Sequence, residues 1–128
     1  VLIGGHLISK TSATIDTTAG ANTWSAAEMI GGFMMRDPNG DNRSDVTATA
    51  AQLVAAIQGV HVGSSFRFTI RNTANAAETI TLTAGSGITL SGTMTIAQNY
   101  TKEFLCVITN KSSSSEAAVI YSIGTWVH

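Results

Sequence analysis

Aspartate and asparagine side chains, whose oxygens can ligate a cation, are concentrated in one short stretch of the sequence, residues 37–45 (DPNGDNRSD). Four of them have the spacing with which a calcium-binding loop begins: Asp37, Asn39, Asp41 and Asp45. The match then fails, because Asn42 stands where that loop has glycine and Ala48 stands where it has a bidentate glutamate. Asp, Asn, Pro and Gly are also the ordinary residues of tight turns. The stretch therefore predicts a β-turn, with calcium binding as the alternative.

The other reactive side chains are isolated along the chain. Cys106 is the single cysteine, so no disulfide can form within the chain, and its apolar neighbours predict a buried strand residue. The three histidines, His6, His61 and His128, have no metal-ligand spacing. No combination of nucleophile, base and oxyanion donors stands out. We expect no catalytic activity and no cofactor.

Composition limits the classes of partner. The chain has 128 residues, of which 44% are hydrophobic and 12% are charged, and its net charge is -1. The seven basic residues are scattered, which argues against nucleic-acid binding. No apolar run approaches the roughly 20 residues that span a bilayer, so we expect no membrane partner. So little charge on one domain suggests that other subunits cover part of the surface.

Short strands account for most of the chain after residue 65. The alternation of Phe66, Phe68 and Ile70 with polar residues has the period of a half-buried strand. A short strand is also expected at 33–36, before the turn. The strands predicted beyond it are 66–72, 78–83, 88–90, 94–97, 102–110 and 117–123. The last two are apolar on both faces, which predicts central strands or strands under an intersubunit contact.

Helical signals are confined to two places. Thr49 and Gln52 have the spacing of a capping box, and Gly59 stands where a left-handed residue ends a helix, which predicts a helix at about residues 50–58. Ser25 and Glu28 have the same spacing at the start of a short helix or turn.

Together these elements predict a mainly β fold. Many short, closely spaced strands are typical of a single-domain β-sandwich or barrel. We expect a jelly-roll-like fold with one short helix, at about residues 50–58. Residues 1–18 are expected to form an extended N-terminal arm or edge strands, and residues 19–128 to form one β-rich domain. No long internal repeat is evident in the sequence.

Apolar residues of the arm and two tryptophans are the predicted interface. An extended arm can add a strand to the sheet edge of a neighbouring subunit, although it could also be a loose terminus. Trp24, Tyr100 and Trp126 could alternatively stack on a sugar, but packing in the core or at an interface is the preferred use. The predicted interface residues are Leu2, Ile3, Leu7, Ile8, Trp24 and Trp126.

Several runs of the chain carry a family resemblance. They are GGFMMRDPNG at 31–40, TAAQLVAAI at 49–57, VGSSFRF at 62–68, NTANAAETITL at 72–82 and VIYS at 119–122. In these runs the chain resembles small structural proteins encoded by tailed bacteriophages and some large DNA viruses. The resemblance extends over most of the chain from Trp24 onward. It implies a virion component, such as a head decoration protein or a fibre module, and no catalytic residue.

The expected function is therefore structural. We expect a homo-oligomer, a trimer, that sits on the surface of a viral capsid and clamps the major capsid protein or another virion protein. One alternative is a receptor- or glycan-binding fibre module. The other is the subunit of an extracellular filament, assembled when the N-terminal arm donates a strand.

Overall fold

The structure, a computed structural model, describes residues 10–128. Within this range the chain forms nine strands and two helices. In chain order they are β1 (Ser12–Asp16), α1 (Ala26–Gly31), β2 (Gly32–Arg36), β3 (Arg43–Val46), α2 (Ala50–Ala56), β4 (Ser65–Asn72), β5 (Ile80–Thr83), β6 (Ile88–Ser91), β7 (Thr95–Ile96), β8 (Tyr100–Asn110) and β9 (Ala117–Val127). The prediction of a mainly β chain is confirmed.

The strands form two sheets. The large sheet has six strands in the order β1-β2-β4-β8-β9-β6, and the small sheet has three in the order β3-β5-β7. Two sheets are compatible with a sandwich or a barrel. Four of the seven strand pairings are parallel, which differs from the antiparallel pairing of a jelly roll. As predicted, β8 and β9 are central strands.

The first half of the chain winds as a coil. In the large sheet Asp16, Arg36 and Asn72 are register partners on β1, β2 and β4, all parallel. Thr23 forms an isolated parallel bridge to Val46 of β3, and β3 pairs in parallel with β5. Each turn of the coil thus passes from the large sheet to the small-sheet side and back. The sequence gives no sign of this repetition.

A capping box starts each helix. The Ser25 hydroxyl accepts from the Glu28 N–H at 3.1 Å, and the Glu28 carboxylate accepts from the Ser25 N–H at 2.9 Å. Thr49 and Gln52 make the same reciprocal pair at 3.2 and 2.9 Å. Both predicted capping boxes are confirmed, but the structure has two helices where one was expected. The second helix ends at Ala56 rather than at 58, because residue 57 is already extended.

The core lies between the two sheets and the helices. Phe68 and Phe104 stack at its centre with their ring centroids 5.0 Å apart. Residues 12–16, within the stretch expected to be an N-terminal arm, pair with β2 as part of the large sheet. The predicted interface residues Leu2, Ile3, Leu7 and Ile8, and His6, lie outside the described residues. Of the helices that the structure describes, neither is long and apolar enough to cross a membrane.

Candidate functional site: the outer face of the large sheet

A fully buried ion pair occupies the corner between β2 and β3. Arg36 and Asp45 have no exposed side-chain surface, and Nε of Arg36 lies 2.7 Å from Oδ2 of Asp45. A second bond joins Nη2 to Oδ1 at 3.1 Å. Backbone carbonyls take the other guanidinium hydrogens: Thr18 and Asp37 accept from Nη1 and Gly20 accepts from Nη2, all within 2.8 Å. Every N–H of Arg36 thus has an acceptor, which is the condition for burying this charge.

This arrangement explains the acidic stretch. Asp45 points into the core, where its Oδ1 also accepts the Asn22 N–H at 2.9 Å. Asp37 and Asp41 cap their own turn, accepting the N–H groups of Asn39 and Asn42. The stretch forms the loop between β2 and β3, bent at Gly40 and Asp41. The four calcium candidates make separate hydrogen bonds there: Asp37, Asn39, Asp41 and Asp45. Within residues 10–128 no three His, Cys, Asp or Glu side chains come together as metal ligands would.

Polar residues stack along this corner through three turns of the coil. Asp16 Oδ2 lies 3.8 Å from Arg36 Nε. On the other side, Asn72 is buried and donates to the carbonyl oxygens of Glu78 and Ile96, while it accepts from the Ala74 N–H. These contacts fix the path of the chain between the sheets, so the corner has a structural role.

Two titratable groups of β8 are shifted by burial. Desolvation raises the pKa of Cys106 to about 12, so the thiol stays protonated at neutral pH. The prediction that Cys106 is buried is confirmed. Desolvation also lowers the pKa of Lys102, whose Nζ lies 3.5 Å from the Ser122 hydroxyl. Among the described residues there is no pocket that could enclose a small molecule.

The outer face of the large sheet carries exposed and half-exposed apolar side chains on both sides of β4, which itself presents polar residues to this face. On β8 the side chains alternate, so Phe104, Cys106 and Ile108 are buried while Leu105 and Val107 are half-exposed on the other side. Strand register extends this face across its neighbours. Its large apolar members are Ile15, Phe33, Met35, Leu105, Val107, Val119, Tyr121 and Ile123.

Three charged residues of β4 and β8 lie on this face, Arg67, Arg71 and Glu103, and among the described residues only Arg67 and Glu103 form an ion pair. Arg67 of β4 lies opposite Leu105, and its Nη1 is 3.1 Å from Oε1 of Glu103 on β8. The side chains remain 62% and 32% exposed, so water screens the pair and it contributes little to the stability of the single chain. Because both side chains are exposed, a partner could contact this ion pair.

Exposed apolar side chains extend beyond the face to the end of β9. Trp126 is 46% exposed, and Tyr100 on β8 is 38% exposed. In contrast Trp24 is completely buried, so the expectation that it lies at an interface or binds sugar is wrong. It precedes the N-cap residue of α1, a position that directs the ring into the core. Sequence reasoning missed Tyr121 and Ile123, although the alternation within 117–123 is a signal for them.

Scans of the chain against protein-family models, curated proteins and solved structures each find no match.

Proposed function

We propose that the chain is a virion structural protein that decorates or cements a viral capsid as a homo-oligomer, in three copies. In this proposal the two sheets pack as a β-sandwich, and the large sheet turns its outer face toward neighbouring subunits. The family resemblance supports the virion location, and the apolar outer face supports the mode of attachment. The protein acts by occupying a position in an assembly rather than by catalysis.

The single observation that carries the proposal is the exposure of large apolar side chains on the outer face. Tyr121 is 41% exposed and Ile123 is 40% exposed, both on the central strand β9. Contiguous exposed apolar residues on a sheet mark interaction surfaces more often than scattered ones do. Removing them from water is favourable in proportion to their area.

The ion pair fits the same proposal. Arg67 and Glu103 already satisfy each other, so a partner can cover this pair without leaving either charge bare, whereas Arg71 on the same face would take its acceptor from the partner. One of the two can also exchange its partner for an opposite charge on a neighbouring subunit, which would give the contact specificity rather than raw affinity.

Co-sedimentation with bare capsids of the encoding virus tests this function. Tyr121→Lys with Ile123→Lys places two charges on the outer face and should weaken capsid binding by at least about tenfold, the equivalent of roughly 1.4 kcal/mol. Val62→Lys is the matched control, because Val62 is 64% exposed in the loop before β4. Wild-type protein that ignores capsids, or a control that weakens binding equally, would contradict the proposal.

A glycan-binding fibre module is the second candidate, favoured by the exposed rings of Trp126 and Tyr100. They lie at the same end of the sheet but on opposite faces, because Trp126 pairs with Thr101, the strand neighbour of Tyr100, so each ring would stack on a sugar by itself. Aromatic faces stack on sugar rings. Binding of the chain to a glycan array, abolished by Trp126→Ala while capsid binding is absent, would favour this function over decoration.

A further inference from the structure

The strand β1 has one side free within the described part of the chain. It is the first strand of the large sheet and pairs only with β2. The Asp37 N–H donates to the Asp16 carbonyl at 2.9 Å, so Asp16 and, by alternation, Ser12 and Thr14 direct their backbone groups toward β2. The N–H and C=O groups of Ala13 and Ile15 therefore point to the open side.

Nothing in the sequence of β1 protects this open edge. Natural edge strands usually carry proline, lysine or a bulge that prevents pairing with another chain. Residues 12–16 read SATID, pair with β2 in unbroken register, and carry charge only at Asp16. The carboxylate of Asp16 bonds within its own chain, where Oδ1 accepts hydrogen bonds from the N–H and the hydroxyl of Thr18. Ile15, meanwhile, is 72% exposed.

We propose that β1 pairs with β1 of a second copy across a two-fold axis centred on Thr14. A two-fold axis relates the two strands in antiparallel orientation. Ala13 of each copy then lies opposite Ile15 of the other, and these are the residues with free backbone groups, so each pair exchanges both of its hydrogen bonds. The two large sheets merge into one continuous sheet, with their outer faces on the same side.

The side chains are self-complementary in this register. On the outer side, Ala13 covers the exposed Ile15 of the other copy. On the inner side Thr14 meets Thr14, a favourable cross-strand pair. Ser12 lies opposite Asp16 of the other copy, in a pair whose side chains approach closely.

The segment of residues 1–9 is the rival occupant of the edge. It is joined to β1 by only two residues, Lys10 and Thr11. A parallel neighbour needs a crossover of a dozen or more residues, so within one chain this segment could pair with β1 only as an antiparallel hairpin. The second copy is favoured because its register pairs the free backbone groups of Ala13 and Ile15 and covers the exposed Ile15 side chain, all through residues that the structure describes.

This inference is independent of the proposed function, because it concerns an edge of the sheet rather than its outer face. The two contacts predict different stoichiometries. Edge pairing alone gives a dimer, a three-fold contact alone gives a trimer, and both together give a hexamer as the smallest closed assembly. Failure of capsid binding would leave edge pairing untouched.

Cross-linking tests the two-fold axis directly. With Thr14→Cys, two cysteines face each other at the axis within the reach of a disulfide, so mild oxidation should convert most of the chain to a covalent dimer. Cys106 is buried and does not interfere. Ser91→Cys is the control, because Ser91 is an exposed residue of β6, the edge strand on the opposite side of the sheet. Equal cross-linking of the two variants, or none at Thr14→Cys, would overturn the proposal.

A second variant tests the backbone bonds. Ala13→Pro removes an N–H from the open edge and leaves the bonds to β2 intact. Self-association should weaken by at least about tenfold, while the circular dichroism spectrum and melting temperature stay those of the wild type. Unchanged association in a folded Ala13→Pro protein would overturn the proposal. So would a chain that dimerises only after residues 1–9 are deleted, because that segment would then be the occupant of the edge.

Discussion

The coil of the first half and the β8–β9 hairpin of the second half are held together by different chemistry. The corner of the coil buries a charged pair, Arg36 and Asp45, together with the amide of Asn72. The hairpin buries alternating apolar residues such as Phe104 and Ile108. Hydrogen bonds to buried polar groups depend on direction, whereas apolar packing tolerates small adjustments. The corner should therefore be the less tolerant region, and substitutions in the two regions test this difference.

The largest effect is expected at the buried ion pair. Arg36→Met leaves the Asp45 carboxylate in the core without its partner and frees the carbonyls of Thr18, Gly20 and Asp37. The free energy of unfolding, measured by urea denaturation, should fall by about 3–5 kcal/mol. Adding Asp45→Leu removes the bare charge, so the double variant should be more stable than the single one.

The exposed ion pair supplies the matched control for this substitution. Arg67→Met also removes an arginine from a strand of the large sheet, but its pair with Glu103 is exposed to water. Its effect on unfolding should stay within about 1 kcal/mol. Equal losses for Arg36→Met and Arg67→Met would show that the corner has no special role.

An intermediate effect is expected at Asn72, further along the same corner. Asn72→Ala removes three side-chain hydrogen bonds. It leaves two buried carbonyl oxygens and one backbone N–H without a partner. Unfolding should become easier by roughly 2–3 kcal/mol. Asn110→Ala is the control, because its one bond to the Ser112 N–H lies at the surface and its loss should change little. A small effect of Asn72→Ala would contradict a corner held by polar contacts.

The smallest of the three effects is expected in the hairpin. Ile108→Val removes one methylene from a fully buried side chain, and the neighbouring apolar residues can adjust. The free energy of unfolding should decrease by about 0.5–1.5 kcal/mol. If Ile108→Val lowered the free energy of unfolding as much as Arg36→Met, the hairpin would be as intolerant of substitution as the corner. The distinction between the two regions would then be lost.

Local signals in the sequence were sufficient for the hairpin and the helix starts. Alternation of apolar and polar residues predicts β4, because a strand with one buried face repeats every two residues. Continuous apolar runs bounded by turn residues predict β8 and β9. The two capping boxes located both helices, since Thr49 and Gln52 act within one turn. The end of α2 was placed too late, because Gly59 serves the following turn, where its φ is +64°, rather than the helix.

The coil and the buried corner could not be predicted in the same way. Thr23, Val46 and Thr83 stack as neighbours, but different lengths of chain separate them, so the sequence shows no fixed period. Arg36 lies two residues after Met34, so the period of a strand places both side chains on the inner face. Its pairing with Asp45, however, depends on the path of the loop between β2 and β3. The same difficulty applies to Trp24, whose burial follows from the placement of α1 against the sheets.

The mass of the purified chain in solution, measured by light scattering across a range of concentrations, tests most directly whether the protein works through its own assembly. The single chain has a mass of 13.3 kDa. The outer face and the open edge of β1 predict a mass that is a multiple of this value at micromolar concentration, reduced by Tyr121→Lys or Ala13→Pro but not by Val62→Lys. A wild-type mass that stays at that of the single chain at every concentration would contradict the account.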